Sequence, residues 1–420
     1  MLHELTGGRR AAPLPAVLRA RRWMLAGLTV SIVGSRVVEG GAAGTVVQGL
    51  LPVMWLPVFA TAAEALGFAA PLTTRLLSRF PPAAVLVASD MAEAVLSAAA
   101  LAALVLAPAH SGPVMICYLL LALVFPAICD VVEELYARQL ARLSPANALS
   151  FNAAVYSMLG FVGLVIGAPM GGLVSGSSFA LLVGLNLVLS ASGACLRLVS
   201  RRTVPTTPAR EPETSGARRS WTDVAGVLVR SGPTSPAVAF VVTAGHASAG
   251  VFVHLWTARA MPWPPATSLA LVVACFGVGA TLGPHLAPLA QRRLGIRGAL
   301  MLSLTGAITG VAVLAACLVL LPPAAVWPVA LGQVATGAAL GRMRDVLITT
   351  LRQASFRGEE FGAVMSWSFA LSSLGVLAGS WTGGGLGVAA RPLPGLGVLA
   401  AALAVVLLVV LRADGLRNRG

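Results

Sequence analysis

Arg36 and Glu39 stand three residues apart inside an apolar run, so one face of a helix would carry a guanidinium and a carboxylate together. Glu64, Asp90 and Glu93 follow in the next two apolar runs, and Ser97 extends the Asp90–Glu93 face. Charge at membrane depth is expensive and usually faces a bundle interior or an aqueous cavity. Arg36 and Glu39 are therefore either a cavity-lining pair near mid-membrane or a structural ion pair closing two helices. Glu64, near the centre of its run, would either handle protons or make a structural hydrogen bond or salt bridge. Asp90 suits a gate or a packing contact, and Glu93 is the deeper cavity candidate. Asp130, Glu133 and Glu134 cluster where the fourth run ends, and Glu134 reaches Arg138 at i,i+4. That cluster reads as an inner gate or as a solvated helix end.

Acids are scarcer later in the chain. Arg342, Arg344 and Asp345 form the clearest cluster, with Arg342 and Asp345 sharing a face. His246 and His254 lie on one stripe with Gly250 between them, as packing groups or as contacts for substrate or proton; two histidines do not make a metal site. Asn152 and Tyr156 pair on one face, Trp256 and Trp367 could supply aromatic cavity wall, and Trp263 sits where an interfacial anchor belongs. The cysteines show no metal-like spacing and lie mostly in apolar runs, as small hydrophobes do. No nucleotide-binding motif or nucleophile constellation is present, so neither a cofactor nor catalysis is expected.

The elements that must position these groups follow from composition. The chain is 57% hydrophobic and 10% charged over 420 residues, with mean hydropathy +0.87. A soluble domain carries about 25% charged residues, so this chain lacks the polar surface to dissolve. Apolar windows long enough to cross a bilayer fall near 23–47, 50–77, 83–107, 112–137, 147–174 and 177–199, then near 236–259, 265–290, 298–321, 324–350, 358–386 and 391–411. The expected fold is an all-α integral membrane protein with twelve transmembrane helices in two pseudo-symmetric six-helix bundles, 23–199 and 236–411. Around them lie an arm (1–22), a linker (200–235) and a tail (412–420).

The net charge of +14 does not point to nucleic acid, because the arginines lie mainly between apolar runs. Arg79, Arg138, Arg142, Arg292, Arg293, Arg297, Arg352, Arg357, Arg412, Arg417 and Arg419 join the arm and the linker on one side, which the positive-inside rule assigns to the cytoplasm. Trp23–Ser35 after the first arginines reads as a signal anchor rather than a cleaved leader. The linker, with Trp221 and Leu228, is either a short interfacial helix or a disordered tether. The two halves also echo each other. Arg138-Gln139 matches Arg352-Gln353, and Gly171-Gly172 matches Gly383-Gly384, at nearly the separation of the first and seventh windows. A parallel repeat of this kind fits transporters whose halves are related by an axis along the membrane normal. Gly163, Gly167 and Gly171, four apart, permit a close helix crossing, and Pro169 beside them favours a kink.

Over roughly residues 15–411 the chain resembles the major facilitator superfamily, and within it the bacterial exporters grouped with the enterobactin exporter and multidrug efflux proteins. Residues 70–90 read like that branch's second-loop motif, Arg79 matching the motif arginine and Asp90 the later aspartate. The acid normally preceding the arginine is Ser78 here, and the following basic positions are Pro82 and Ala83. The second copy, Gly283 to Arg293, also lacks the acid, so an inward gate would need other groups such as Asp130, Glu133 and Glu134. Residues 163–172 are similar to the antiporter motif, with the proline one position late, and Ser144 to Asn147 resemble the approach to that helix. The resemblance implies a monomeric secondary transporter of the bacterial plasma membrane, both termini cytoplasmic, surrounded by lipid. It implies export of a small amphipathic drug, natural product or siderophore-like compound by proton antiport and alternating access. The rival readings are an uncoupled facilitator or importer, or a non-transporting sensor or scaffold.

Overall fold

The structure is a computed structural model that describes residues 14–68, 76–77, 79–129, 132, 159–203, 232–356 and 358–413. Asp130, Glu133, Glu134, Asn152 and Tyr156, with Ser78 and most of the linker, lie outside the described residues. The described chain is all-α. In order it forms α1 (Leu14–Val47), α2 (Trp55–Phe68), α3 (Pro82–Leu106), α4 (Ser111–Ala122), a π-helical segment (Leu159–Gly167), α5 (Ala168–Ser177) and α6 (Phe179–Thr203). Then come α7 (Pro236–Ala260), α8 (Pro265–Leu320), α9 (Pro323–Ser355), α10 (Gly358–Gly385) and α11 (Leu393–Arg412).

Proline writes most of these boundaries. Pro82, Pro236, Pro265 and Pro323 each occupy the first helical turn, where a missing N–H is no loss and the fixed φ already suits the helix. At α7 the preceding Ser235 adds a cap, its hydroxyl oxygen accepting from Ala237 N–H at 3.1 Å. Within α8 the break comes from Gly295 instead, at φ 67° and ψ 171°, a conformation a side chain would forbid. A straight helix of 56 residues would run about 84 Å, against about 30 Å of hydrocarbon. α8 is therefore two antiparallel limbs meeting at one glycine.

Eight helical stretches among the described residues are long and apolar enough to cross a membrane, and α8, with both its limbs, is one of them. The protein is a multi-pass membrane protein on that count. α1 and α10 have the length but carry more polar residues, and α2 is shorter at 14 residues. Ahead of Pro169 the expected kink takes another form. The backbone widens into a π-helix over the nine residues Leu159–Gly167, and Pro169 follows in the first turn of α5. Proline cannot donate to the preceding turn, and the wider winding absorbs that gap without a sharp bend.

Packing falls into two sets. α1 lies against α5, α6 and the π-helical segment, while α3 lies against α6 and α4. In the second set α7 packs on α10 and α11, and α8 on α9 and α11. Two seams join the sets: α2 runs along α10, and the π-helical segment with α5 runs along α8. The closest approaches within each set rest on matched glycines. A Cβ on Gly167 or Gly171 would meet the Val33 or Val37 carbonyl of α1. On Gly379 or Gly383 it would overlap the Ala244 or Ser248 carbonyl of α7. The same spacing thus docks each late helix onto the first helix of its own set, extending the repeat from paired dipeptides to paired interfaces.

Candidate functional site

Two polar centres form where these helices meet, and they differ in who shares them. The first spans both sets. Arg36 and Glu39 form an ion pair on α1, their side chains 26% and 29% exposed. The Arg36 stem lies beside Gly163 and Gly167, whose missing side chains leave room for it. On α2, Glu64 has the Ser373 hydroxyl of α10 and the like-charged Glu39 as neighbours. One turn along, the Ser373 hydroxyl occupies the space a side chain on Gly67 would fill. Nearer the start of α2, Trp381 Nε1 donates to Thr61 Oγ1 at 3.1 Å. Two carboxylates and one guanidinium thus stand at a junction of α1, α2 and α10 that is only partly sealed.

The second centre lies wholly inside the first set. Asp90 of α3 pairs with Arg197 of α6 at 3.3 Å, both side chains fully buried. Ser31 of α1 donates to the same carboxylate oxygen at 3.0 Å. One turn along α3, Glu93 accepts from Asn186 Nδ2 at 3.1 Å and has Ser190 as a polar neighbour. The Asn186 amide further serves Ser97 at 3.3 Å and Tyr118 at 2.9 Å. α1 makes space for this with glycines seven apart: a Cβ on Gly27 would meet Arg197 Cγ at 2.7 Å, and one on Gly34 would meet Asn186 Oδ1 at 2.9 Å. Asp90 Oδ2 and Asn186 Oδ1 find no hydrogen-bond partner among the described residues.

This arrangement puts the acids in two separate places. Glu93 is 2% exposed and belongs with Asp90, Asn186 and Arg197, not with Glu39 and Glu64 around a cavity. The face it shares with Asp90 and Ser97 turns to α6 and α4. Asp90 is buried against α6, and Arg197 is the partner that sequence reading missed. Arg197 stands in Ala194-Cys195-Leu196-Arg197-Leu198, an arginine enclosed by apolar residues, and that enclosure was the available signal. Asn186, between Leu185 and Leu187, carried the same signal.

In the second set Asp345 pairs with its neighbour Arg344 at 2.9 Å rather than with Arg342. The two side chains are 7% and 48% exposed. His246 is half-buried, with Nδ1 at 2.8 Å from the Val242 carbonyl and Arg344 and Asp345 as charged neighbours. His254, a little over two turns on, tilts against Phe276 with ring centroids 5.5 Å apart. The histidine stripe therefore splits between a polar and an aromatic environment. No metal-holding group of three ligands occurs among the described residues. Arg352 turns inward and donates from Nε to the Thr234 carbonyl at 3.1 Å, tying the end of α9 to the start of α7. Trp263 is exposed and packs edge-on against Trp327 at 5.3 Å. Trp256 and Trp367 are half-buried, and Arg79 is exposed in the turn before α3. Gly172 faces Leu269 of α8 across the second seam.

No protein-family model matches this chain, and no curated protein matches it. Solved structures do. A bacterial homologue of the iron transporter ferroportin in its inward-facing state superposes with TM-score 0.65 at 16% identity, covering 94% of this chain and 98% of that one. The nucleoside transporter NupG gives TM-score 0.61 at 14% identity, over 97% and 100%. FucP, a major facilitator superfamily transporter in the outward conformation, gives 0.62 at 12%, over 98% and 100%. All three are transporters, and the likeness extends over nearly the whole of each chain. At these identities it shows the fold alone. The set spans distinct transporters and singles out no branch, and the exporter branch suggested by the loop motifs gains no support from it.

Proposed function

We propose that this chain is a secondary transporter that moves a small amphipathic organic molecule by alternating access, with export by proton antiport as the mode. Its working units are two six-helix bundles, 23–199 and 236–411, that rock about a shared centre. The twelve spans count the two limbs of α8 separately and include α1, α2 and α10. The bundles share a cytoplasmic linker, both termini are cytoplasmic, and a single copy suffices. The observation that carries this reading is the polar junction of α1, α2 and α10. It joins groups from both sets of helices, holds an unequal number of acids and bases, and is partly open. Rocking one set against the other would change what surrounds Glu39 and Glu64, and a proton or a cationic group of the substrate would balance the excess acid there. The exporter-like motifs around Arg79 and Gly163–Gly172 support the branch and the direction.

Purified protein in sealed proteoliposomes tests the reading directly. Imposed pH gradients should drive accumulation of a substrate found by screening metabolites released from an expressing strain. Counterflow without any pH dependence would leave a facilitator. No counterflow for any released compound would leave the sensor or scaffold reading.

A further inference from the structure

The first turns of α1 and the last turn of α6 carry five arginines between them and no acid: Arg19, Arg21 and Arg22 on α1, Arg201 and Arg202 on α6. We propose that these two helix ends form one binding site for the headgroup of an anionic phospholipid, in the leaflet where α1 begins.

The site is built by the packing of the two helices. The Ser200 hydroxyl of α6 donates to the Ala20 carbonyl of α1 at 2.7 Å, and both residues are buried. Ala20 stands between Arg19 and Arg21, and Ser200 precedes Arg201 and Arg202, so that one bond brings both basic segments to the same level. Deeper in, the helices stay close. A Cβ on Gly27 would meet Arg197 Cγ at 2.7 Å, and one on Gly193 would lie 3.5 Å from the Gly27 carbonyl. Arg19, Arg22, Arg201 and Arg202 are exposed and Arg21 is half-buried. Like charges held together in this way repel, and a bound anion removes that cost. Arg197, one turn below Arg201, already has Asp90 and takes no part.

Depth selects a lipid over a free phosphate. The 34 residues of α1 make about 51 Å of helix against about 30 Å of hydrocarbon, so its first turns emerge among the headgroups. Trp23 is exposed at that level, where an amphipathic ring belongs. Toward the bilayer centre the surface beside the arginines turns apolar, with Val199 exposed and Leu25 and Leu196 half-buried. Guanidinium forks match phosphate oxygens, and the apolar surface beneath them suits acyl chains. A soluble phosphate gains only the first of these contacts.

The full chain, purified in detergent and stripped of lipid, is titrated with dioleoylphosphatidylglycerol or dioleoylphosphatidylcholine, and bound lipid is counted by native mass spectrometry. Phosphatidylglycerol should be retained as a single adduct, and phosphatidylcholine should bind about tenfold more weakly or less. Each interfacial arginine contributes about five-fold in affinity, so Arg19→Gln with Arg201→Gln should weaken phosphatidylglycerol binding by roughly twentyfold. Arg292→Gln with Arg293→Gln, an equal loss of exposed charge on α8, should leave that binding unchanged. Phosphatidylglycerol should also raise the midpoint of thermal unfolding of the parent and not of the Arg19→Gln, Arg201→Gln protein. Inorganic phosphate should move neither midpoint. Equal weakening by the two double variants makes the effect one of net charge and overturns the site. Equal binding of the two lipids, or an equal midpoint shift from inorganic phosphate, overturns it as well. If Arg19→Gln with Arg201→Gln fails to reach the membrane, Arg22→Gln with Arg202→Gln decides in its place.

Discussion

The Asp90–Arg197 network and the Glu39–Glu64 junction use the same residue types for opposite ends. In the first, an acid and a base face each other with no exposure, and every strand of the network returns to helices of one set. In the second, the ion pair is about a quarter exposed and the remaining acid lies beside a serine of the other set. A sealed pair whose partners move together has its ionisation fixed by the fold. A group whose partners belong to two moving bodies has its ionisation reset whenever they move. The contrast sets an acid whose partners all lie in one set of helices against an acid whose neighbours come from both.

The largest test of that contrast is Arg197→Ala. Removing one partner of a buried ion pair leaves Asp90 uncompensated, at a cost of about 3–5 kcal/mol. We expect reduced membrane abundance and a lower midpoint of thermal unfolding in detergent, with much of the loss recovered when Asp90→Asn is added. Full stability of the single variant would remove the structural role of the network.

Next comes Gly167→Leu, whose side chain would collide with the Arg36 stem and the Val33 carbonyl. Gly379→Leu should behave alike, since it meets the Ala244 carbonyl in the matched place. Both should abolish counterflow at matched abundance. Loss from one and not the other would show that the repeated interfaces carry different duties.

Glu64→Gln should leave stability and exchange down a gradient intact while pH-driven accumulation is lost. If Glu93→Gln gives that phenotype instead, the two centres exchange roles and the contrast is inverted. The smallest effect belongs to Trp381→Phe, which removes one hydrogen bond worth about 0.5–1.5 kcal/mol. A modest change in transport rate with intact pH coupling should result, measured by initial uptake.

Much of the fold was legible because apolar length and proline placement are local properties. The helix starts at Pro82, Pro236, Pro265 and Pro323 lie within a few residues of the apolar windows. The pairing of polar groups was not legible in the same way. An i,i+3 relation shows that Asp90 and Glu93 share a face, yet it does not say which helix that face meets. Only the meeting of α3 with α6 assigns Glu93 to Asn186 and Asp90 to Arg197. Likewise, Arg36–Glu39 could be read from one helix, whereas Ser373 lies far along the chain from Glu64, and no spacing joins them.

The apex of α8 has a consequence for how the chain is made. Gly295 joins two helices with no loop between them, and just beyond it Arg297 Nη2 donates to the Leu411 carbonyl at 2.6 Å. Leu411 is the second-last residue of α11 and is translated more than a hundred residues after Arg297. The hairpin can therefore enter the bilayer as a unit early in synthesis, but its tip stays unfastened until α11 has been made and has docked.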